Sequence, residues 1–300
     1  MGGYGFEGRV AVVTGAGRGI GRAHARLLAE LGARVVVNDL GGSMTGGGSD
    51  AGPAAEVVDE IVAAGGVAVA DSSDVSREDG AGALIATAVE RFGRIDAVVN
   101  NAGIIRWKGF PEADAENLES HLAVHVGGSF HTARAAWPHF VEQGHGRIVN
   151  TTSSGMFGLP NNVGYATAKA AVVGLTRSLA TAGVQHGIRC NLVAPAAFTR
   201  MAGAADDESP MATTMAPELV APMVAFLAHE SCPVTGEIYS AGAGRFARIF
   251  IAQAEGYVDR TGAPTVEDVA AHWAEINDDS TYTIPADLMA WSNAFMAHLA

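Results

Sequence analysis

The stretch Arg9 to Asp39, RVAVVTGAGRGIGRAHARLLAELGARVVVND, decides the fold. Its opening residues, RVAVVT, form a β-branched run closed by glycine, the pattern of a buried strand. From Gly19 to Leu31 the apolar residues recur at helical spacing, and Gly32 stands where a helix C-cap belongs. Arg34 to Asp39 is a second strand. The unit is β-turn-α-β within about thirty residues, and its turn reads TGAGRGIG. Gly15 supplies a backbone shape closed to other residues. Gly19 and Gly21 let the chain approach a pyrophosphate and let the helix pack on the strand. The helix N-terminus adds free N–H groups and a positive dipole. A bare glycine-rich turn is often only structural, but the flanking strand and helix supply the context a dinucleotide site requires. Asp39 ends the second strand, where an acid accepts hydrogen bonds from an adenosine ribose and repels a 2′-phosphate. That predicts NAD(H) rather than NADP(H). Arg18, inside the turn, is the one charge there that offsets the repulsion.

Composition narrows the partners. The 300 residues are 48% hydrophobic and 17% charged, an ordinary globular balance. A net charge of −13 argues against nucleic acid or an anionic membrane as the main partner. A polyanionic substrate would need local Arg or Lys. Cys190 and Cys232 sit in no metal or redox motif and read as reduced structural thiols. We expect no secretory signal in MGGYGFEGRV, no run able to span a bilayer, and no peroxisomal tripeptide in His298-Leu299-Ala300. Cytoplasm is the expected compartment.

Outward from the first unit, Gly41 to Gly52 reads as a mobile, low-complexity loop beside the adenine site. A helix follows to Ala64, then a strand at Val67 to Ala70. Asp74 and Val75 fall where a loop touches adenine, and Ser76 is read as the cap of a helix through Phe92. Ile95 to Asn100 is the fourth strand and leads into Asn101-Ala102-Gly103. Glu116 to His139 is helical, with Gly127-Gly128 and Pro138 predicting a bend. Its four histidines do not form a ligand set, so no metal is expected. Arg147 to Thr151 and Arg189 to Val193 are strands, the latter ending at Pro195. Ala202 to Pro217 is expected to be a mobile lid. Glu218 to His229 is a helix and Glu237 to Ala241 the last strand of the sheet. Thr265 and Asp268 form a capping box, and a final helix starts near Pro285. The expectation is α/β: a doubly wound parallel sheet of about seven strands. One domain would span residues 1–300, with a core at about 8–244 and a C-terminal extension at about 245–300 packed against it.

The chemistry centres on Val163 to Val173, VGYATAKAAVV. Tyr165 and Lys169 lie one helical turn apart and share a face. An ammonium at that distance stabilises a phenolate and is expected to draw the phenol below its usual ~10. The pair then exchanges a proton with an alcohol or ketone. Such spacing is common in helices. Its force comes from its company: the glycine turn, Asp39, and Ser153-Ser154 upstream.

Thr14-Gly15, Gly19, Gly21, Asn100-Asn101-Ala102-Gly103, Ser153 and Tyr165-x-x-x-Lys169, in that order, resemble the short-chain dehydrogenase/reductase family. Segments such as VVVNDLGG and RAAWPHF, with the extension, resemble its (3R)-hydroxyacyl-CoA dehydrogenase branch, which works within peroxisomal multifunctional enzymes. The resemblance implies Tyr165 as general acid/base, Lys169 as its electrostatic partner and ribose holder, and Ser153 as donor to the substrate oxygen. Counting back thirteen from Tyr165 falls on Thr152. Counting forward from the strand falls on Ser153, with Ser154 as the alternative. Ile20, Asn101, Ala102, Gly103, Pro195 and Thr199 would line the cofactor. His125 stands where most members carry an asparagine and would relay protons, or simply be a buried histidine. The implied substrate is a small molecule, an acyl-CoA or a steroid-like alcohol. Arg106, Lys108, Arg200, Arg245 and Arg248 are candidate counter-charges for a CoA phosphate. The implied state is a homodimer or homotetramer. A catalytically silent NAD(H)-binding sensor is the rival of a different class, which the Tyr165/Lys169 pair argues against.

Overall fold

The computed structural model describes residues 3–199, 210–260 and 262–299. The chain divides into two compact units, residues 1–248 and 249–300. The larger unit alternates strands and helices: β1 (Val10–Thr14), α1 (Gly19–Glu30), β2 (Arg34–Asn38), α2 (Gly52–Ala63), β3 (Val67–Asp71), α3 (Glu78–Phe92) and β4 (Ala97–Asn100). Then come α4 (Ala115–His121), a π-helical segment Leu122–Gly127, α5 (Gly128–Gln143), β5 (Gly146–Thr151), α6 (Val163–Gly183) and β6 (Ile188–Pro195). α7 (Pro210–Thr214), α8 (Ala221–Ala228), β7 (Ile238–Gly242) and β8 (Arg245–Ile249) complete the sheet region. Strand order is β3-β2-β1-β4-β5-β6-β7-β8, with parallel pairing from β3 through β7.

Period-two side-chain alternation explains the two covered faces. In β1, Ala11 and Val13 enter one core with Leu28, Val57, Val224 and Leu227. Val10 and Val12 enter the opposite core with Leu84, Ile85, Phe140 and Ile148. Chain order reverses between β1 and β4, so loops at their C-terminal ends splay apart and leave a crevice. A buried polar ladder crosses the sheet beside it. Thr132 Oγ1 donates to Asn100 Oδ1 at 2.7 Å, Asn100 Nδ2 to Asn150 Oδ1 at 2.9 Å, and Asn150 Nδ2 to Thr176 Oγ1 at 2.8 Å. It ties α5, β4, β5 and α6 together with every member satisfied.

The structure departs from expectation in several places. The sheet has an eighth strand: Ala243 and Gly244, both at positive φ, make a two-residue turn that folds β8 back on β7. Ser76 does not cap α3; Arg77 holds that position, and Ser76 instead donates to Asp74. The helix expected at Glu116 to His139 is three pieces, widened by the π-helical turn rather than bent at Pro138 alone. The helix expected from Glu218 starts at Ala221, after a 3₁₀ turn at Pro217–Leu219. Pro210–Ala228 reaches a mean hydropathy of 1.4, so one run does match a membrane span in length and composition. Prolines break it into α7, the 3₁₀ turn and α8, and α8 packs in the core.

The smaller unit holds β9 (Gln253–Ala254), α9 (Val266–Ala271), α10 (Trp273–Ile276), β10 (Tyr282–Thr283) and α11 (Leu288–Phe295). Its capping box at Thr265 and Asp268 is present. The helix expected to run on from it breaks at His272. None of its described residues is buried.

Candidate active site

The crevice at the switch point is a cleft of about 320 Å³. Gly15, Arg18, Gly19, Ile20, Asp39, Asp74, Val75, Asn101, Ala102, Gly103 and Thr199 all line it. Gly15 sits at φ +62°, and a Cβ there would come within 2.8 Å of Ala102 Cα. Only glycine lets the turn lie this close to the end of β4. Gly21 lies below the cleft rather than on it. A Cβ at Gly21 would strike the Gly15 carbonyl and stand 2.5 Å from Asn101 Nδ2, so its role is helix-to-turn packing. Pro195, at the end of β6, is absent from the cleft wall.

Several expected cofactor residues also hold the cleft together. Asp39 accepts the Gly17 N–H at 2.8 Å and the Gly41 N–H at 2.7 Å. A carboxylate accepts about four hydrogen bonds, so capacity for a ribose remains. Asn101 Nδ2 donates to the carbonyls of Thr14 and Gly15, both at 3.0 Å. Thr14 Oγ1 accepts the N–H groups of Asn101 and Ala102, also at 3.0 Å. From the sequence Thr14 is named only as the first residue of the glycine-turn motif, with no role for its side chain; a hydroxyl at the last residue of the first strand was the signal. Arg18 is exposed at the cleft mouth.

Tyr165 and Lys169 share a face of α6, which Asn162 caps by accepting the Tyr165 N–H at 3.3 Å. Lys169 Nζ stands 5.6 Å from the Tyr165 ring centre and donates to Thr151 O at 2.8 Å. The Tyr165 phenol bonds the Ser153 side chain. Ser153 is half-buried at the end of β5 and accepts the Gly155 N–H at 3.0 Å. Ser154 is exposed, and Thr152 is buried with its hydroxyl on Lys169 O at 2.7 Å. Geometry therefore brings Ser153, not its neighbours, to Tyr165.

Electrostatics here differ from the expectation. Burial pushes the Tyr165 phenol above its usual value, and the Ser153 hydrogen bond only opposes that. Burial also pulls the Lys169 ammonium down to about 7. Desolvation outweighs the attraction between the two because each disfavours its own charged form when buried.

Beside them stand two stacked imidazoles, His121 and His125, with centroids 6.0 Å apart; both meet the Tyr165 ring edge-on. His125 Nε2 lies 2.9 Å from Ile104 O, its Nδ1 has no partner among the described residues, and burial holds it well below the usual histidine value. It is neutral at pH 7. His121 was missed from the sequence except as one of four histidines. Its spacing of four from His125 was the available signal. Of the candidate counter-charges, Arg106 pairs with Glu116, Lys108 with Asp114 and Arg248 with Glu237. Arg245 is exposed. Arg200 lies outside the described residues, as do residues 202–209 of the expected lid. No cluster of metal-ligating side chains occurs among the described residues.

The sequence pattern of the family described as short chain dehydrogenase matches residues 9–209. A short-chain type dehydrogenase/reductase of Mycobacterium tuberculosis is 46% identical over 91% of this chain and 96% of its own length. The peroxisomal multifunctional enzyme type 2 of Mus musculus is 41% identical over 93% of this chain, which spans only 38% of that enzyme. A hydroxyacyl-CoA dehydrogenase of M. tuberculosis is 39% identical over 78% of this chain and 77% of its own length. Among solved structures, a 7α-hydroxysteroid dehydrogenase complexed with NADH and 7-oxo glycochenodeoxycholic acid superposes with TM-score 0.71. It is 30% identical over 80% of this chain and 95% of that one.

Proposed function

The chain belongs to the short-chain dehydrogenase family, and from that premise we propose that it oxidises a secondary alcohol with NAD⁺ and reduces the matching ketone with NADH. The observation that carries this is the Ser153–Tyr165–Lys169 group in a chain that also builds a glycine-walled cleft with a carboxylate, Asp39, directly after its second strand. The cleft fits a dinucleotide. Gly15 and Gly19 sit at positive φ, and a Cβ at Gly19 would meet only Thr199 at 3.6 Å, so the turn lies open to a pyrophosphate. Asp39 would hold the adenosine ribose, Gly15 to Ile20 the phosphates, Thr199 the nicotinamide amide, and Lys169 its ribose. The chemistry a dinucleotide held there would supply is hydride acceptance and donation.

The residues of the chain handle the proton. Ser153 Oγ donates to the substrate oxygen and orients it. Tyr165 Oη takes the hydroxyl proton as the carbon loses its hydride, and returns it in reduction. Positive charge from the cofactor and from Lys169 favours the phenolate and opposes the burial that raises it. His125, neutral and edge-on to Tyr165, keeps Nδ1 buried and unpartnered among the described residues, and that nitrogen is the atom that would relay a proton.

The substrate we propose is a (3R)-3-hydroxyacyl-CoA, giving the 3-oxoacyl-CoA. Support comes from the hydroxyacyl-CoA dehydrogenase relative and the multifunctional-enzyme match. A hydroxysteroid is the second reading, favoured by the steroid-bound neighbour. We further propose a homodimer or homotetramer in the cytoplasm, without a nucleic-acid or membrane partner. The test follows NADH formation with (3R)- and (3S)-hydroxyacyl-CoA esters, a hydroxysteroid and simple secondary alcohols. Turnover confined to the (3R)-esters is expected. Steroid turnover with silent esters replaces the substrate. Silence throughout with NADH still bound leaves a sensor.

A further inference from the structure

The loop after β2 is not an open coil. Asp50 N–H donates to Leu40 O at 2.9 Å, which closes its base. Gly41, at φ +74°, lies so close to the Asp50 backbone that no side chain fits there. Within the loop, Ser43 N–H donates to Gly47 O at 2.8 Å and Gly46 N–H to Ser43 O at 3.0 Å. Its tip reaches the segment after β4: Ile105 N–H donates to Met44 O at 2.9 Å, and Arg106 Nε to Thr45 O at 2.7 Å. Sheet order is β2-β1-β4, so a connection from the end of β2 to the end of β4 crosses the end of β1, where the glycine turn lies. Leu40, Ser43 and Met44 line the same cleft as Arg18 and Asp74.

Arg106 is held firmly at the far side. His121 Nδ1 lies 2.7 Å from Asn117 O, and a carbonyl only accepts, so that nitrogen carries the proton. His121 Nε2 is therefore a lone pair, and it accepts the Arg106 N–H at 3.2 Å. Asn117 Nδ2 donates to Arg106 O at 2.9 Å, and Arg106 Nη1 reaches Glu116 at 3.3 Å. The guanidinium is thus anchored to α4 while its Nε grips the loop.

We propose that Arg106 is a positioning residue for the nucleotide: it latches the Leu40–Asp50 strap across the cleft, and cofactor exchanges only when the strap opens. The inference rests on the NAD(H) assignment of the cleft. Asp39, whose carboxylate joins Gly41 at the strap's base to Gly17 in the glycine turn, links the strap to the phosphate site. Glycines at 41, 42, 46, 47 and 48 give the strap backbone conformations closed to other residues.

The experiment is stopped-flow fluorescence of NADH association and dissociation with wild type, Arg106→Met and Arg106→Lys, with thermal melts to confirm folding. Arg106→Met is expected to raise both rate constants about tenfold, equivalent to about 1.4 kcal/mol, and to leave the dissociation constant nearly unchanged. Arg106→Lys keeps a donor and restores part of the slow exchange. Glu116→Gln, which loosens the anchor without touching the strap, is expected to speed exchange less. Unchanged rates in Arg106→Met overturn the latch. So does faster dissociation with unchanged association, which would make Arg106 a simple binding contact. Wild-type protein that fails to bind NADH overturns the cofactor assignment and the latch with it.

Discussion

At the scale of single residues, burial decides behaviour that spacing alone mispredicts. Lys169 is one turn from Tyr165, as the sequence indicates, yet burial raises the phenol and brings the ammonium down to about 7. Alcohol oxidation by free enzyme needs the phenolate, so its kcat/KM is expected to climb with pH through neutrality and beyond, while ketone reduction falls. Tyr165→Phe is expected to lower turnover by about 10²–10⁴-fold with NADH fluorescence titration unchanged; a variant that keeps turnover sinks the proton-transfer role. His24, on α1, is a separate case. It is buried with both ring nitrogens unpartnered among the described residues, and burial pulls it down to about 3. The sign follows. Unfolded histidine takes up a proton near 6.5 and the folded ring near 3, so stability held above ~6.5 is lost as pH falls from there toward 3. His145, drawn to about 4, adds in the same direction. His24→Leu is expected to stabilise by about 1 kcal/mol at pH 7.5 by removing unsatisfied nitrogens, and to flatten the acid slope in urea melts. Equal slopes for both proteins would remove His24 from the acid response. No periodicity reveals such an orphan, because it depends on which neighbours the fold supplies.

At the scale of elements, the first βαβ unit shows why a local pattern was legible. Strand, turn and helix there are set by β-branched residues, glycines and helical spacing within about thirty residues, and all three form as expected. Gly21 separates propensity from packing. Alanine inside an exposed helix would gain about 1 kcal/mol over glycine. Here its Cβ meets the Gly15 carbonyl and Asn101 Nδ2, and such overpacking costs about 1–3 kcal/mol. Gly21→Ala is therefore expected to lower the melting temperature and weaken NADH binding at least about tenfold by pushing α1 off the turn. Calorimetric titration checks it; unaltered affinity would show that the turn tolerates the shift. Other elements were less legible. The π-helical turn that follows His121 and carries His125 to Ile104 has no distinct sequence signal. The eighth strand hides behind an Ala-Gly turn whose alanine must take positive φ. The Gly41 to Gly52 loop reads as low complexity, yet backbone hydrogen bonds close it and tie it to the segment after β4.

At the scale of the whole molecule, the described residues of the 249–300 unit form the short helices α9, α10 and α11 and a two-stranded ribbon, and none of them is buried. Trp273, Leu288, Met289 and Phe295 are each more than half exposed. A segment of this size cannot offset its own ordering entropy without burying apolar area. A homodimer or homotetramer is therefore expected by light scattering at micromolar concentration, and a monomer there would overturn the assembly we propose. The sequence by itself determined the doubly wound class, the glycine turn, the acid at the end of β2 and the Tyr165/Lys169 pair. Each is written in short-range spacing that secondary structure converts directly into a shared face or a turn. The tertiary structure alone decided the rest. It set Ser153, rather than Thr152 or Ser154, against Tyr165, because burial and reach are set by how β5 meets α6. It put Asn101 and Thr14 to work binding strand ends to each other. It also brought Thr45, Arg106 and His121 together from three separate stretches. Contacts between residues far apart in sequence arise from packing, and packing leaves no local period to read.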